Sequence, residues 1–279
     1  MTLTTHNNVL LSSWMYGTAW KEGATTHLVQ MAVASGFTAI DTANQLIHYR
    51  EDLVGEALLA LNKQGVKRDT LFLQTKFTPV NGQDHRTPYD ASADLTTQVQ
   101  QSFASSLTHL HTDYVDSYVL HGPYSRWGLG ESDREVWSAM EELYQTGKTK
   151  MIGISNVTAG QLTQLCTEGR IKPMVVQNRC YASQGWDRKV REVCQEHGII
   201  YQGFSLLTAN RDVMADPDIR AIANRLGTNP AQVVFRFAMH IGILPLTGTT
   251  KEHHMKDDLK TEQLALLPEE IELMDTIAE

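Results

Sequence analysis

The sequence has little of what marks several common classes of protein. Only three of its 279 residues are cysteines, Cys166, Cys180 and Cys194, and their spacing forms no zinc-like pair. A disulfide-built scaffold is therefore excluded, and a reducing compartment, the cytoplasm, is expected. Basic charge is also scarce, because 24 Lys and Arg face 32 Asp and Glu, for a formal net charge of −8. That balance argues against nucleic acid or an anionic membrane surface as a partner.

Long apolar runs, glycine-rich nucleotide loops and metal-ligand spacings are missing as well. No apolar run approaches the roughly 18 to 20 residues of a membrane-spanning helix, and residues 1–11 lack the parts of an export signal. The glycines within residues 128–130 lie in a loop without the strand, turn and helix that a dinucleotide fingerprint requires. His253 and His254 are adjacent, and neighbouring helical side chains cannot both reach one ion without strain. We therefore expect no membrane span, no Rossmann domain and no metal.

What is present is a repeated alternation of short apolar runs with longer amphipathic stretches. Apolar residues make up 42% of the chain, enough for a large core. Strand-like runs occur at residues 12–18, 37–41, 71–77, 114–121, 151–155, 173–178, 199–204 and 243–247. Helical spacing occurs at residues 51–61, 93–110, 132–144, 158–166, 187–196, 218–226, 230–239, 252–259 and from 269 onward. Eight strands without a dividing linker predict an α/β fold, a (β/α)8 TIM barrel with additional helices near the C-terminus, as one domain over residues 1–279.

Local signals mark two helix starts and two long loops. Asn229, directly before a proline, predicts a capped helix start, and Ser132 with Glu135 predicts a capping box. Residues 78–92 and 122–131 form the longest segments without a strand or helix pattern. Both follow predicted barrel strands, so both are expected to overhang the end of the barrel at which the strands end.

Four polar residues at or just beyond strand ends are the strongest functional signal. They are Asp41, Tyr49, Lys76 and His121, and polar groups in such places are costly unless they are paired or used. A tyrosine hydroxyl, with an ordinary pKa of about 10, donates to a carbonyl oxygen poorly unless a cation lies beside it. Lys76 would supply that cation, Asp41 would hold Lys76, and His121 would hydrogen-bond the carbonyl. The alternative is structural, with a buried Asp41–Lys76 ion pair and a satisfied core histidine.

Short motifs along nearly the whole chain resemble the aldo-keto reductase superfamily, in its usual order. They are Gly17-Thr18-Ala19-Trp20, Ile40-Asp41-Thr42-Ala43, Val54-Gly55, Thr75-Lys76, Asp113-Tyr114-Val115-Asp116, Leu120-His121-Gly122-Pro123, Gly147-Lys148, Gly153-Ile154-Ser155-Asn156 and Val176-Gln177-Asn178. The resemblance, to a short, prokaryotic- or fungal-like member, implies an NAD(P)H-dependent carbonyl reductase on a (β/α)8 barrel. The catalytic tetrad of that superfamily maps onto Asp41, Tyr49, Lys76 and His121.

The tyrosine of this tetrad departs from the superfamily's spacing. The usual Tyr falls five residues after the Asp, where this chain has Leu46, whereas Tyr49 lies eight residues after Asp41. Counted back from Val54, the expected position falls on His48. We expect a longer turn, which costs little free energy, to deliver Tyr49 as the proton donor, with His48 as the alternative.

The resemblance also implies where a cofactor binds. By that resemblance, the residues at the nicotinamide carboxamide would be Ser155, Asn156 and Gln177. The residue at the nicotinamide ring would be Phe204, and those at the pyrophosphate would be Ser205 and Leu207. The candidates near the start of the last barrel helix are Gly248, Thr249, Thr250, Lys251, His254 and Asp258. The superfamily's usual Arg is missing there, and Asp258 replaces its usual Asn. We expect NADPH as the cofactor, with NADH possible.

Three aromatic residues, Trp20, Tyr124 and Trp127, follow strand ends and predict an aromatic-walled pocket for a small aldehyde or ketone. The alternative is that they pack on the barrel rim. We expect a monomer or a weak homodimer. A second function class is a non-catalytic, nucleotide-binding regulatory barrel that resembles potassium-channel beta subunits, although the complete tetrad argues against it. A barrel hydrolase or lyase would need a metal or an activated nucleophile, for which the sequence shows no sign.

Overall fold

Two short antiparallel strands precede the barrel and cover one of its ends. In the computed structural model, which describes residues 2–278, β1 (Thr2–Thr4) pairs with β2 (Leu10–Ser12). In the turn between them, the Asn7 side-chain amide donates to the backbone oxygen of Lys150 at 2.9 Å. Lys150 lies just before a barrel strand, so the hairpin covers the end at which the strands begin. This hairpin was not predicted from the sequence.

Eight parallel strands follow and close into a barrel. They are β3 (Met15–Gly17), β4 (Ala39–Asp41), β5 (Phe72–Phe77), β6 (Ser117–Leu120), β7 (Ile152–Ser155), β8 (Val175–Arg179), β9 (Ile200–Phe204) and β10 (Ile243–Thr247). Each pairs with its neighbour in sequence, and β10 closes the ring by pairing with β3. The predicted (β/α)8 fold is confirmed. The strand predicted at residues 12–18 is divided, since Ser13 and Trp14 separate β2 from β3.

The outer layer is helical. Its members are α1 (Thr25–Ser35), α2 (Glu51–Lys63), α3 (Leu95–His109), α4 (Glu131–Gln145), α5 (Ala159–Glu168), α6 (Arg188–His197), α7 (Arg211–Ala215), α8 (Pro217–Leu226), α9 (Pro230–His240), α10 (Glu252–Lys260) and α11 (Pro268–Thr276). Two of these helices, α1 and α7, were not predicted. In α1 the buried Leu28, Val29 and Ala32 recur at helical spacing, so the signal was present. The five residues of α7 are too few to show a period.

The two predicted helix starts have different outcomes. Asn229 does cap α9, because its side-chain oxygen accepts from the backbone N–H of Gln232 at 3.0 Å. The capping box at Ser132 was wrong. The carboxylate of Asp133 instead accepts from the backbone N–H groups of Gly130 (2.8 Å) and Tyr124 (2.9 Å). One acid thus closes the first turn of α4 and also ties down the preceding loop.

A close approach between α2 and α3 fixes the chain that leads into the site. A β-carbon on Gly55 would collide with the carbonyl oxygen of His109, so only glycine fits there. The buried carboxylate of Glu51, in the first turn of α2, accepts from the hydroxyl of Thr75 on β5 and lies 3.0 Å from His109 Nδ1. These contacts hold the start of α2, and with it the preceding Tyr49, against β5.

Candidate active site

A buried ion pair forms the base of the site. Lys76, near the end of β5, donates to both carboxylate oxygens of Asp41, at the end of β4, at 2.6 and 2.7 Å. Its third N–H donates to the backbone oxygen of Thr42 at 2.8 Å. Both charged side chains are buried, and buried charges are tolerated only when they are fully paired. Burial lowers the pKa of Lys76, and the negative charge of Asp41 opposes that shift.

A longer turn between β4 and α2 brings Tyr49 to this ion pair. The backbone N–H of Tyr49 donates to the oxygen of Gln45 at 3.0 Å, which closes a helical turn over the additional residues. The centroid of the Tyr49 ring lies 5.1 Å from Lys76 Nζ and 5.9 Å from the centroid of the His121 ring. The aromatic ring therefore lies near the buried cation and the histidine that the sequence placed beside it.

The Tyr49 hydroxyl keeps its proton in this environment. Burial raises the pKa of Tyr49, and the charge of Asp41 raises it further. The three N–H groups of Lys76 are all used elsewhere, so Lys76 approaches Tyr49 as a cation 5.1 Å from the ring centroid and not as a hydrogen-bond donor. A neutral hydroxyl beside a cation is well suited to donate its proton as negative charge develops next to it.

His121, directly after β6, is neutral and has a hydroxyl beside one of its ring nitrogens. Burial lowers the pKa of His121 to about 3, and the charge of Lys76 and the nearby His48 add to that shift. The hydroxyl of Thr78 lies 2.7 Å from His121 Nδ1. If that hydroxyl donates its one proton to Nδ1, the ring proton resides on Nε2. His121 Nε2 can then donate a hydrogen bond to a carbonyl oxygen.

His48 occupies a different place from Tyr49. Its ring centroid lies 4.1 Å from that of Trp20, and its backbone oxygen accepts from the N–H of Trp20 at 2.7 Å. Both side chains line the cavity described below, and the indole of Trp20 is largely exposed. The turn that carries Tyr49 inward therefore directs His48 toward the mouth of the site.

One cavity of about 820 Å³ joins these residues to the start of α10. We call the part beside Asp41, Tyr49 and His121 the catalytic end, and the part beside α10 the α10 end. The predicted site residues that line the cavity are Trp20, Asp41, Tyr49, His121, Ser155, Asn156, Gln177, Phe204, Ser205, Leu207, Gly248, Thr249, His254 and Asp258. They come from strand ends, from the loops that follow the strands and from α10, on the side of the barrel at which the strands end.

Five predicted site residues do not line the cavity. Lys76 lies beneath its wall, covered by Asp41 and Tyr49, while Thr250 and Lys251 point outward at the start of α10. Trp127 is 97% exposed. Tyr124 packs partly buried against the core, held through its backbone N–H by Asp133. The predicted aromatic wall is thus supplied by Trp20 and Phe204, because the loop after β6 is tied to α4 and directs its aromatic side chains away.

Three lining residues adopt left-handed backbone conformations that residues other than glycine rarely take. The φ angles are 61° for Trp20, 57° for Asn156 and 58° for Ser205. Each follows a barrel strand by one to three residues, and each such conformation costs on the order of 1–3 kcal/mol. Strain of this kind persists where the surrounding structure imposes it, and it concentrates at functional sites.

The α10 end carries polar and charged groups with few contacts. Asp258 is buried and accepts from the hydroxyl of Thr247 at 2.7 Å, and burial raises the pKa of Asp258 to about 7. The hydroxyl of Thr249 lies 3.4 Å from His254 Nδ1. The side chain of Lys251, at the N-cap of α10, is exposed.

Thr78 and Arg179 bear on the site and were not predicted from the sequence. Thr78 lies two positions after Lys76 and therefore on the same face of the extended chain, a pattern that would have indicated it. Arg179 lies two positions after Gln177 at the end of β8, lines the cavity, and places its guanidinium carbon 5.6 Å from the centroid of the Phe204 ring. The same alternation would have indicated Arg179.

Neither a metal-binding cluster nor a membrane-spanning helix occurs among residues 2–278. Within that range no group of three or more His, Cys, Asp or Glu side chains is arranged to hold a metal ion. None of the helices in the described part of the chain is both long enough and apolar enough to cross a membrane.

Comparison with known proteins places the chain among reductases. The model of the aldo/keto reductase family matches residues 12–279. The chain is 27% identical to glyoxal reductase of Bacillus subtilis over 99% of its own length and 92% of the relative's. It is 29% identical to an NADPH-dependent alpha-keto amide reductase of Saccharomyces cerevisiae, over 85% and 73% of the two chains.

A solved structure supports the same fold. The aldo/keto reductase from Brucella melitensis superposes with a TM-score of 0.85, covers 100% of this chain and 99% of its own, and is 23% identical. At that identity the likeness concerns the arrangement of strands and helices alone.

Proposed function

Because the chain belongs to the aldo/keto reductase family and is therefore a nicotinamide-dependent carbonyl reductase, we propose that Tyr49 is its general acid. The observation that carries this assignment is the position of the Tyr49 ring, near both the Lys76 ammonium and the His121 ring. Lys76 and His121 complete the reacting site, and Asp41 holds Lys76. Nothing favours the alternative of a non-catalytic regulatory barrel.

Each residue has one part in the reduction. His121 donates a hydrogen bond from Nε2 to the substrate carbonyl oxygen, which holds the carbonyl beside the Tyr49 hydroxyl. As negative charge develops on that oxygen, the nearby Lys76 charge stabilises the tyrosinate, and Tyr49 transfers its proton. The pKa of Tyr49, raised in the free protein by burial, guarantees that the proton is present at the start. With a hydride added to the carbonyl carbon, this proton completes the alcohol.

The lining of the cavity fits a nicotinamide dinucleotide. The amide side chains of Asn156 and Gln177 and the ring of Phe204 lie at the catalytic end and suit a flat ring that bears a carboxamide. Ser205 and Leu207 would hold the pyrophosphate. The adenosine would be held by Gly248, Thr249 and neighbouring residues. A bound reduced nicotinamide supplies the hydride. The volume of about 820 Å³ lies within the range usual for small-molecule sites.

The test of the catalytic assignment is loss of the reduced-nicotinamide absorbance with a panel of aldehydes, ketones and vicinal dicarbonyl compounds. The vicinal dicarbonyls belong in the panel because two relatives are named for glyoxal and alpha-keto amides. We expect Tyr49→Phe to lose turnover by about 10²–10⁴-fold and to keep its affinity for the cofactor. His48→Ala is the matched control and should lose far less. Turnover that survives in Tyr49→Phe and disappears in His48→Ala would assign the acid to His48 instead.

We propose NADPH as the preferred cofactor, with NADH also used. The start of α10 combines a helix N-terminus with Lys251, and both favour an anion. One relative is NADPH-dependent. Burial keeps the carboxyl of Asp258 protonated up to a pKa of about 7, so its charge does not oppose a phosphate at lower pH. Dissociation constants from quenching of tryptophan fluorescence should favour NADPH, and equal constants for the two cofactors would contradict the preference.

The remaining assignments concern the protein as a whole. We propose that residues 1–279 form one domain, that the protein is a monomer or a weak homodimer, and that it works in the cytoplasm. The three cysteines, which are free and buried, support a reducing compartment. Sedimentation of the purified protein at several concentrations measures the oligomeric state.

A further inference from the structure

Three glutamine side chains meet inside the barrel, beneath the cavity. They are Gln74 on β5, Gln177 on β8 and Gln202 on β9, and all three are buried. The strands β5 and β9 are not neighbours in the barrel, so Gln74 and Gln202 reach each other across its interior. Amide groups in such a place are costly unless they are hydrogen-bonded.

Gln74 and Gln202 bond each other reciprocally. The amide nitrogen of Gln74 donates to Gln202 Oε1 at 2.8 Å, and the amide nitrogen of Gln202 donates to Gln74 Oε1 at 3.0 Å. Gln177 joins this pair, because its amide nitrogen donates to Gln202 Oε1 at 3.0 Å. Gln202 Oε1 therefore accepts from both of the other glutamines.

The carboxylate of Asp41 sets the direction of these bonds. Asp41 Oδ1 accepts from the amide nitrogens of Gln74 at 2.8 Å and of Gln177 at 3.1 Å. An ionised carboxylate can only accept, so the nitrogen of each amide must face Asp41. Both N–H groups of Gln177 are then used inside the barrel. Its oxygen has no donor among residues 2–278 and belongs to a side chain that lines the cavity.

We propose that Gln202, which Gln74 holds in place, is a positioning residue that acts together with Asp41: the two accept the two N–H groups of Gln177 and so keep its carbonyl oxygen, and not its amide nitrogen, toward the bound cofactor. Gln177 thus offers an acceptor only, which matches the N–H groups of a carboxamide. A dinucleotide that carries a methyl ketone in place of the carboxamide has no N–H to give. This inference rests on the proposed function, since it takes the nicotinamide to lie beside Gln177.

The test compares two oxidised dinucleotides, NADP⁺ and its 3-acetylpyridine analogue, in which a methyl group replaces the carboxamide nitrogen. Quenching of the fluorescence of tryptophans, one of which (Trp20) lines the cavity, gives both dissociation constants without turnover. One hydrogen bond lost predicts that the protein binds NADP⁺ about tenfold more tightly than the analogue. In Gln202→Met, which keeps the side-chain length and removes the shared acceptor, that ratio should fall to about threefold or less.

Gln98→Met is the matched control. Gln98, on α3, is also buried, but it donates to the backbone oxygen of Ala93, in the loop before α3, at 2.8 Å, away from the cavity. We expect both variants to unfold at lower temperature and only Gln202→Met to change the ratio. Gln74→Met, which removes the other member of the pair, should lower the ratio too and serves if Gln202→Met does not fold.

Two results would overturn this inference and leave the proposed function standing. A ratio near one in the unaltered protein would mean that Gln177 offers no acceptor to the carboxamide, and this result needs no variant. An unchanged ratio in Gln202→Met and Gln74→Met would reduce the glutamines to a purely structural role. Failure to bind either dinucleotide would sink the proposed function, and this inference with it.

Discussion

The two ends of the cavity are built differently. At the catalytic end, every proton of Lys76 has an acceptor, Asp41 accepts from three side chains, and His121 is held by Thr78. At the α10 end, Lys251 is exposed, and Asp258 makes a single side-chain hydrogen bond. By this contrast, the groups that we propose to react are held in place by one another, whereas those near α10 have fewer contacts to hold them.

The largest expected effect is on stability. The same substitution, Lys to Met, is compared at the two ends of the cavity. Lys76→Met leaves the Asp41 carboxylate buried without its cation, which should lower the free energy of unfolding by about 3–5 kcal/mol. Lys251→Met removes an exposed charge and should change it by no more than about 0.5 kcal/mol. Urea denaturation of both variants measures the difference. Similar losses of unfolding free energy in the two variants would contradict the difference between the two ends.

The second prediction concerns pH at the α10 end. Burial raises the pKa of Asp258 from 3.8 to about 7 in the folded protein, so between these values the folded state binds the proton that the unfolded state releases. Stability from this group is therefore present below about pH 4 and is lost as pH rises to about 7, by on the order of 2 kcal/mol. Asp258→Asn should remove that slope. Parallel curves of unfolding free energy against pH for the two proteins, from pH 4 to 8, would contradict this prediction.

The third prediction returns to the catalytic end. Thr78→Val removes the hydroxyl that lies beside His121 Nδ1, and with it the hydrogen bond that would favour the ring proton on Nε2. We expect kcat/KM to fall by about three- to tenfold. Thr78→Ser keeps the hydroxyl and should recover most of the activity. Equal losses in both variants would show that the methyl group, and not the hydroxyl, matters.

The smallest expected effect is on cofactor choice. Lys251→Met should weaken the binding of NADPH by about two- to fivefold and leave the binding of NADH unchanged, since an exposed cation contributes little to binding. Fluorescence titration at low and high salt measures it, and salt should reduce the difference. A larger loss would mean that Lys251 is held rigidly on a bound phosphate.

The sequence predicts the barrel and the catalytic end well, for a physical reason. A strand presents alternate residues to one face, so Asp41, Lys76 and His121 at strand ends must come together once the sheet closes. The hairpin of β1 and β2 was missed because its strands are mostly exposed and bury only Leu11, so they lack the apolar run that marks a barrel strand. Gln74 and Gln202 were missed because their partnership crosses the barrel, and no local spacing reports such a contact.

Loop side chains were harder to predict. Position after a strand tells at which end of the barrel a loop lies, but not where its side chains point. Tyr49 is held inward by the turn from Gln45, whereas Trp127 points into solvent from a loop that Asp133 ties to α4. The hydrogen bonds within and around each loop, and not its position after a strand, decide whether its side chains point into the cavity or into solvent.

The Lys76 ammonium, whose three N–H groups are all hydrogen-bonded, has a consequence for a protein that reduces aldehydes. A free, uncharged amine condenses with an aldehyde, forming a C=N bond and releasing water. The nitrogen of Lys76 has all three protons bound by Asp41 and Thr42, and its side chain lies beneath the cavity wall. No lone pair therefore faces the carbonyl carbon. The lysine thus lies close to a reactive aldehyde without forming a Schiff base with it.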